Sequence, residues 1–205
     1  MPRPPDPAKR LELLDRVREY VVRHGLAGLS LRPMARALGT SDRMLLYYFG
    51  TKERLVSEAL ALDERRPMLR FASLLEDVGP VRDAATLRRF LEEVWRQLGA
   101  PDRRAMLPLY FELMAVSLMD PDRYGPLFRS LLSEWTGLLT PLFRGLGMSE
   151  EAAREEAALV VGSAFGLVFA PLADGDWDRA DRAFRVLLDR FEPHWSTGRG
   201  AGADA

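Results

Sequence analysis

Ser30-Leu31-Arg32-Pro33-Met34-Ala35-Arg36-Ala37-Leu38-Gly39-Thr40-Ser41-Asp42-Arg43-Met44-Leu45-Leu46-Tyr47-Tyr48-Phe49 is the stretch on which the fold turns. Leu31, Met34, Ala35 and Leu38 recur at the i, i+3, i+4, i+7 spacing of one buried helix face, and Ser30 stands where an N-cap is wanted. Pro33 falls in the first turn, where its missing N–H is no loss. Gly39 ends this helix after two turns. Thr40-Ser41 then makes a turn and supplies the next cap, and Asp42 to Phe49 forms a second short helix with Asp42 at its positive end. Leu45 and Phe49, four apart, face inward and leave Arg43, Met44, Tyr47 and Tyr48 facing out.

Upstream, Leu11, Leu14, Val17, Val21 and Val22 make the apolar face of a first helix that begins at Asp6 and closes near His24-Gly25. Downstream, Gly50-Thr51 interrupts the chain, and Thr51 caps a longer helix through Lys52, Leu55 and Leu60 to beyond Arg65. A longer helix followed by two short ones joined at a glycine can place the last of the three in a DNA major groove. Arginine forks onto guanine edges, Met and Tyr touch thymine methyls or sugars, and Tyr hydroxyls reach phosphates. Lys52, beside the free N–H groups of a helix start, suits a phosphate. Simple core packing is the reading for Phe49 and the competing one for Tyr47 and Tyr48.

Charge supports this reading through its distribution. The whole chain of 205 residues carries a net charge of -1, but residues 1–52 net +5 and the remainder -6, a basic head on an acidic body. With 47% hydrophobic and 29% charged residues the composition is globular. The absence of cysteine excludes disulfides, thiolate catalysis and Cys-held metals, and points to a reducing cytoplasm. Met-Pro-Arg-Pro-Pro-Asp contains no apolar signal-peptide core. The longest apolar run, Ala157 to Ala173, is interrupted by Gly162, Ser163 and Pro171 and is shorter than the roughly 20 residues of a membrane span, so it reads as a buried soluble helix and no membrane partner is expected. His24 and His194 are the only histidines, and there is no His-Glu-x-x-His, Glu-x-x-His or phosphate-cradling glycine loop, so neither an enzyme nor a metal or cofactor is expected. The pairs Glu92-Glu93 and Glu155-Glu156 read as solvated helix faces.

Taken together, Ser30-Leu31-Arg32, Leu38-Gly39-Thr40-Ser41, Leu45, Tyr48-Phe49, Lys52-Glu53 and Leu55 resemble the head of the tetracycline-repressor (TetR) family of bacterial regulators. The resemblance covers about residues 7–60. It implies that Arg32 reaches the groove from the first short helix, that Arg43, Met44 and Tyr47 read bases or sugar edges, and that Tyr48 and Lys52 clamp phosphates, with Thr40 and Ser41 also at the DNA. Arg43 stands where the family commonly has glycine, and Leu46 where it commonly has tyrosine, so the phosphate contact of that tyrosine is either missing or passes to Tyr47.

Strand signals are scarce, and the body divides into helical segments at Gly79-Pro80, Gly99-Ala100-Pro101, Asp120-Pro121, Gly145 to Ser149 and Pro171 to Asp176. Pro108 and Pro141 should kink their helices or shift their starts. The expectation is an all-α chain of about nine helices: a helix-turn-helix head over 1–52, a ligand-binding and dimerisation bundle over 53–195, and a disordered tail over 196–205. The resemblance implies a four-helix homodimer interface from Glu150 to Ala170 and Trp177 to Phe191, with Ala157, Val161, Phe165, Phe169, Phe184 and Leu188 as its candidates and Gly162 and Gly166 allowing close approach. Trp95, Tyr110, Phe111, Met114, Trp135 and Phe165 are candidate linings of an adaptable apolar pocket, with Glu112 and Ser117 to orient a polar ligand atom; ordinary core is the competing reading of each. The function expected is a regulator that binds a double-stranded operator, a repressor whose affinity is changed by a small, largely apolar effector. The alternative is a helical interaction protein that has lost DNA binding.

Overall fold

A computed structural model describes residues 6–26, 28–59, 73–75, 79–104 and 106–197, and among these every regular element is a helix. In chain order they are α1 (Pro7–His24), α2 (Leu31–Ala37), α3 (Asp42–Phe49), α4 (52–59), α5 (Ala84–Leu98), α6 (Pro101–Arg104), α7 (Leu107–Met119), α8 (Pro121–Gly145), α9 (Glu150–Asp174) and α10 (Trp177–Thr197). The expected stretch from Leu60 past Arg65 and the tail over 198–205 lie outside the described residues. The chain forms two compact units: one comprises Met1–Pro67 and Pro108–Phe128, the other Met68–Leu107 and Arg129–Ala205. The segment expected as a head over 1–52 therefore shares its unit with α7 and the first turns of α8, packing between segments too distant in sequence for local periodicity to register.

In the first unit, α1 starts on Asp6, whose carboxylate accepts from the Ala8 N–H at 2.9 Å, and Leu13, Leu14, Val17 and Val21 are its buried side chains. Leu11, expected in this stripe, is 53% exposed, because the buried face runs through Leu13 instead. Gly25 closes the helix at φ +74°, its N–H donating to the Val21 carbonyl at 2.8 Å. The Glu112 carboxylate lies over it so closely that a Cβ at position 25 would fall 2.7 Å from Oε2, so both backbone and space require glycine here. Ser30 occupies the N-cap position of α2 without a side-chain cap bond, whereas the Ser41 hydroxyl accepts from the Met44 N–H at 3.1 Å and caps α3. Met34, Ala35 and Leu38 from α2, Leu45 and Phe49 from α3 and Leu55, Val56 and Ala59 from α4 are buried with α1's stripe.

In the second unit, Arg88 of α5 ties down α10 by donating to Glu192 at 2.9 Å and Asp189 at 2.7 Å, and these hydrogen bonds, with one donated to its own-helix neighbour Glu92, hold the guanidinium above its ordinary pKa. α9 runs past Pro171, where a break was expected, α10 runs past Phe191 and through Pro193, and Ser196, expected as the first residue of a tail, is still helical. Packing accounts for both: Pro171 is buried, and beyond Pro193 the indole of Trp195 is 1% exposed, edge-on to Phe143 at 5.5 Å, and donates to Glu156 at 3.2 Å. Large buried aromatic surface outweighs one lost helical hydrogen bond. Pro108 lies in the first turn of α7, as its missing N–H favours, and the extra turn α6 precedes it. α9 continues to Asp174, where Gly175 in the left-handed region caps it, and by length and composition this helix is apolar enough to cross a membrane; less than a third of its apolar stretch is buried within the chain.

Candidate nucleic-acid interface

The interface is built outward from Leu45 and Phe49. Both are buried, at 0% and 2% exposure, and turn one face of α3 inward, where α3 packs on α2 and the Arg10 guanidinium of α1 lies over the Phe49 ring. What remains outward is set by the 100° turn per residue: Arg43, Met44 and Tyr47 stand opposite the core, with Leu46 and Tyr48 on the two flanks. Arg43, Met44, Leu46 and Tyr47 are exposed and Tyr48 is half-buried, its ring edge-on to Tyr47 at 5.3 Å. Arg32, on α2, is 87% exposed in its side chain and lies 3.6 Å from the Asp42 carboxylate on α3, so the two short helices are linked at the outer surface. Thr40 is half-buried in the turn, its N–H donating to the Ala35 carbonyl at 2.9 Å, and Ser41 is exposed with its hydroxyl engaged as the cap.

Lys52 has a role that spacing does not reveal. Its ammonium donates to the Leu29 carbonyl at 2.6 Å, holding the loop that leads into α2 against the start of α4. An ammonium has three donors, so this bond leaves others for a phosphate. One residue on, Glu53 is paired with Arg123 in the first turn of α8, a contact across 70 positions of sequence and within the same compact unit. Its own backbone N–H at the start of α4, and then the Arg123 guanidinium, hold the Glu53 carboxyl below its ordinary range. A depressed carboxyl stabilises the fold above the unfolded-state pKa and ceases to do so as pH falls through the folded value. Both side chains are over a third exposed, so screening limits the pair to about 0.2–1 kcal/mol. We expect Glu53→Gln to lower the thermal midpoint slightly at neutral pH and to leave acid stability unchanged, so the gap from the parent protein closes on acidification; a gap independent of pH contradicts the pairing.

The residues proposed for an effector pocket fall in both units. In the first, Tyr110, Phe111 and Met114 are half-buried along α7, while the Ser117 hydroxyl is already donated to the Leu113 carbonyl at 2.7 Å and Glu112 lies on Gly25. In the second, Trp135 and Phe165 are half-buried, and Trp95 packs in the core between α5 and α10: it is 7% exposed, stacks on Phe184 at 4.3 Å, and donates to Asp181 at 2.7 Å. Phe184 and Leu188, candidates for a dimer interface, are buried within this one chain at 3% and 0%, and so are Ala157 and Val161 at 0% and 6%. The outward side of α9 is the opposite one, Ala158, Leu159, Gly162, Gly166 and Phe169, with Phe165 between the two sides. α9 is apolar all round, so periodicity could not choose between its faces.

A buried-face anchor on α3, a glycine turn before it and a cationic outer surface define a helix-turn-helix DNA-binding head. Residues 13–59 match the model of the bacterial regulatory proteins, tetR family. Residues 13–59 thus form a DNA-binding head of the TetR type. No curated protein matches the chain in sequence. Among solved structures it is similar to a protein from Saccharomonospora viridis described as a transcriptional regulator in complex with choline, at 21% identity, TM-score 0.69, over 92% of this chain and 97% of that one. A TetR transcriptional regulator from Legionella pneumophila aligns at 12% identity and TM-score 0.68, over 94% of this chain and 100% of that one. A protein from Pseudomonas aeruginosa PAO1, described as a transcriptional regulator, aligns at 18% identity and TM-score 0.71, over 96% and 95%. At these identities the likeness is one of fold, and it extends over the body as well as the head.

Proposed function

We propose that this protein is a homodimeric repressor of the bacterial cytoplasm, which binds a two-fold operator through Arg32, Thr40, Ser41, Arg43, Met44, Tyr47, Tyr48 and Lys52 and changes its affinity when its helical body, residues 53–195, takes up a small, largely apolar ligand. The observation that carries the DNA half of this reading is the outward face of α3, with Arg43 exposed beside Met44 and Tyr47 on a helix anchored by Leu45 and Phe49. Two recognition helices related by a dyad match half-sites about 34–36 Å apart or a related spacing. A ligand that favours another separation of the heads by 1–3 kcal/mol would change operator affinity roughly 5- to 150-fold.

The dimer is supported by α9. Leu159 and Phe169 are 50% and 61% exposed on its outward side, Gly162 and Gly166 between them admit a close neighbour, and Val186 of α10 is 47% exposed. An apolar helix face of this kind is favourably covered by a second copy. The effector half is supported by the half-buried Tyr110, Phe111 and Met114 along α7, and by the protein of similar fold described in complex with choline.

Sedimentation and DNA binding of the parent protein and of Phe169→Glu test the dimer. The parent should run at twice the chain mass. The variant, with a carboxylate on the apolar face, should run as one chain and bind operator roughly a hundredfold more weakly. A variant that remains a dimer contradicts this interface. Operator affinity that no bound small molecule alters would remove the effector from the reading.

A further inference from the structure

The surface that α3 offers is unusually poor in hydrogen-bonding groups. Asp42 is committed, its carboxylate lying 3.6 Å from Arg32 and accepting from the Arg43 N–H at 2.9 Å, and the Ser41 hydroxyl accepts from the Met44 N–H at 3.1 Å. Arg43 is the one exposed cation on this helix. Beside it stand three large side chains of largely apolar surface, Met44 at 41%, Leu46 at 41% and Tyr47 at 47% exposure. Met and Leu have no useful donor for a base edge, and exposed in water they gain nothing. The major groove presents one apolar group, the C5 methyl of thymine, and the +5 charge of residues 1–52 makes DNA the partner that this surface meets.

We infer that the operator is read chiefly through thymine methyls: Met44 and Leu46, with the ring of Tyr47, pack on methyl groups in each half-site, next to a single guanine held by the Arg43 fork. The inference rests on the operator-binding reading above and adds what that operator must contain. Leu46 is thereby a specificity-determining residue, although its side chain carries no hydrogen-bonding group at all.

The test starts from the tightest duplex recovered by selection from random sequence, in which each thymine is replaced in turn by deoxyuridine, removing only the methyl. Binding of the parent protein should weaken about fourfold at each contacted thymine, the share of one buried methyl group. In Met44→Ala and Leu46→Ala the thymine and uracil duplexes should bind equally at the position each side chain covers. Selective binding that is indifferent to uracil at every position overturns the inference and leaves the operator-binding reading standing. The same holds if the uracil penalty survives in both variants. Failure to recover any preferred duplex overturns both.

Discussion

Arg43→Ala lowers affinity for the preferred operator about 5- to 150-fold, a loss of about 1–3 kcal/mol, and relaxes selectivity at one base pair while binding to random duplex falls far less. The reason lies in the geometry of α3, where this guanidinium is the exposed forked donor. A selection repeated with the variant reads the effect directly, because the position that loses its preference is the one that Arg43 contacts. Lys52→Ala should behave differently. A phosphate contact carries no sequence information, so all duplexes weaken alike and the salt dependence becomes shallower. The bond from Lys52 to the Leu29 carbonyl adds a second expectation, a small loss of thermal stability as the loop before α2 loosens. Equal losses on all sequences in the Arg43 variant would mean that α3 does not read bases as its exposed face suggests.

The other large effect is on the fold of the head itself. Phe49→Ala removes a ring that is 2% exposed and has the Arg10 guanidinium 5.0 Å above its centroid, and should destabilise the protein by about 3–5 kcal/mol. That is a large part of the roughly 5–15 kcal/mol by which a domain is stable, so specific DNA binding should be lost near physiological temperature with the outward residues of α3 all intact. Phe49→Leu keeps most of the volume and should lose under about 1.5 kcal/mol. Chemical denaturation followed by helical circular dichroism gives both values. An alanine variant as stable as its parent would place Phe49 outside the core.

The head was legible because its signals are local. Asp6, Ser41 and Thr51 cap their helices as their side-chain chemistry suggests, the last through its hydroxyl accepting from the Arg54 N–H at 3.1 Å, and Gly25, Gly39 and Gly50 all adopt positive φ where the breaks were expected. Leu45 and Phe49 follow from spacing alone, and the outward set Arg43, Met44 and Tyr47 follows from them. What was not legible is long-range. The pairing of Glu53 with Arg123 spans 70 positions, and the close approach of Glu112 to Gly25 involves a helix with no marked apolar face of its own. On α9 the difficulty was of another kind: with apolar residues on every side, Ala157 and Val161 were as eligible for a partner as Leu159 and Phe169, and only the packing of α10 decides which side is inward.

The most direct test of the central claim is equilibrium binding of the purified protein to the DNA flanking its own gene, compared with random duplex across a salt series. The account requires tight binding with a two-chain stoichiometry, a preference of about a thousandfold or more over random sequence at moderate salt, and an affinity that falls steeply and linearly in log–log form as salt rises. Binding to neither the flanking DNA nor any duplex recovered by random-sequence selection, at low salt as at high, would contradict it and leave a helical bundle whose outward α3 face serves some other partner.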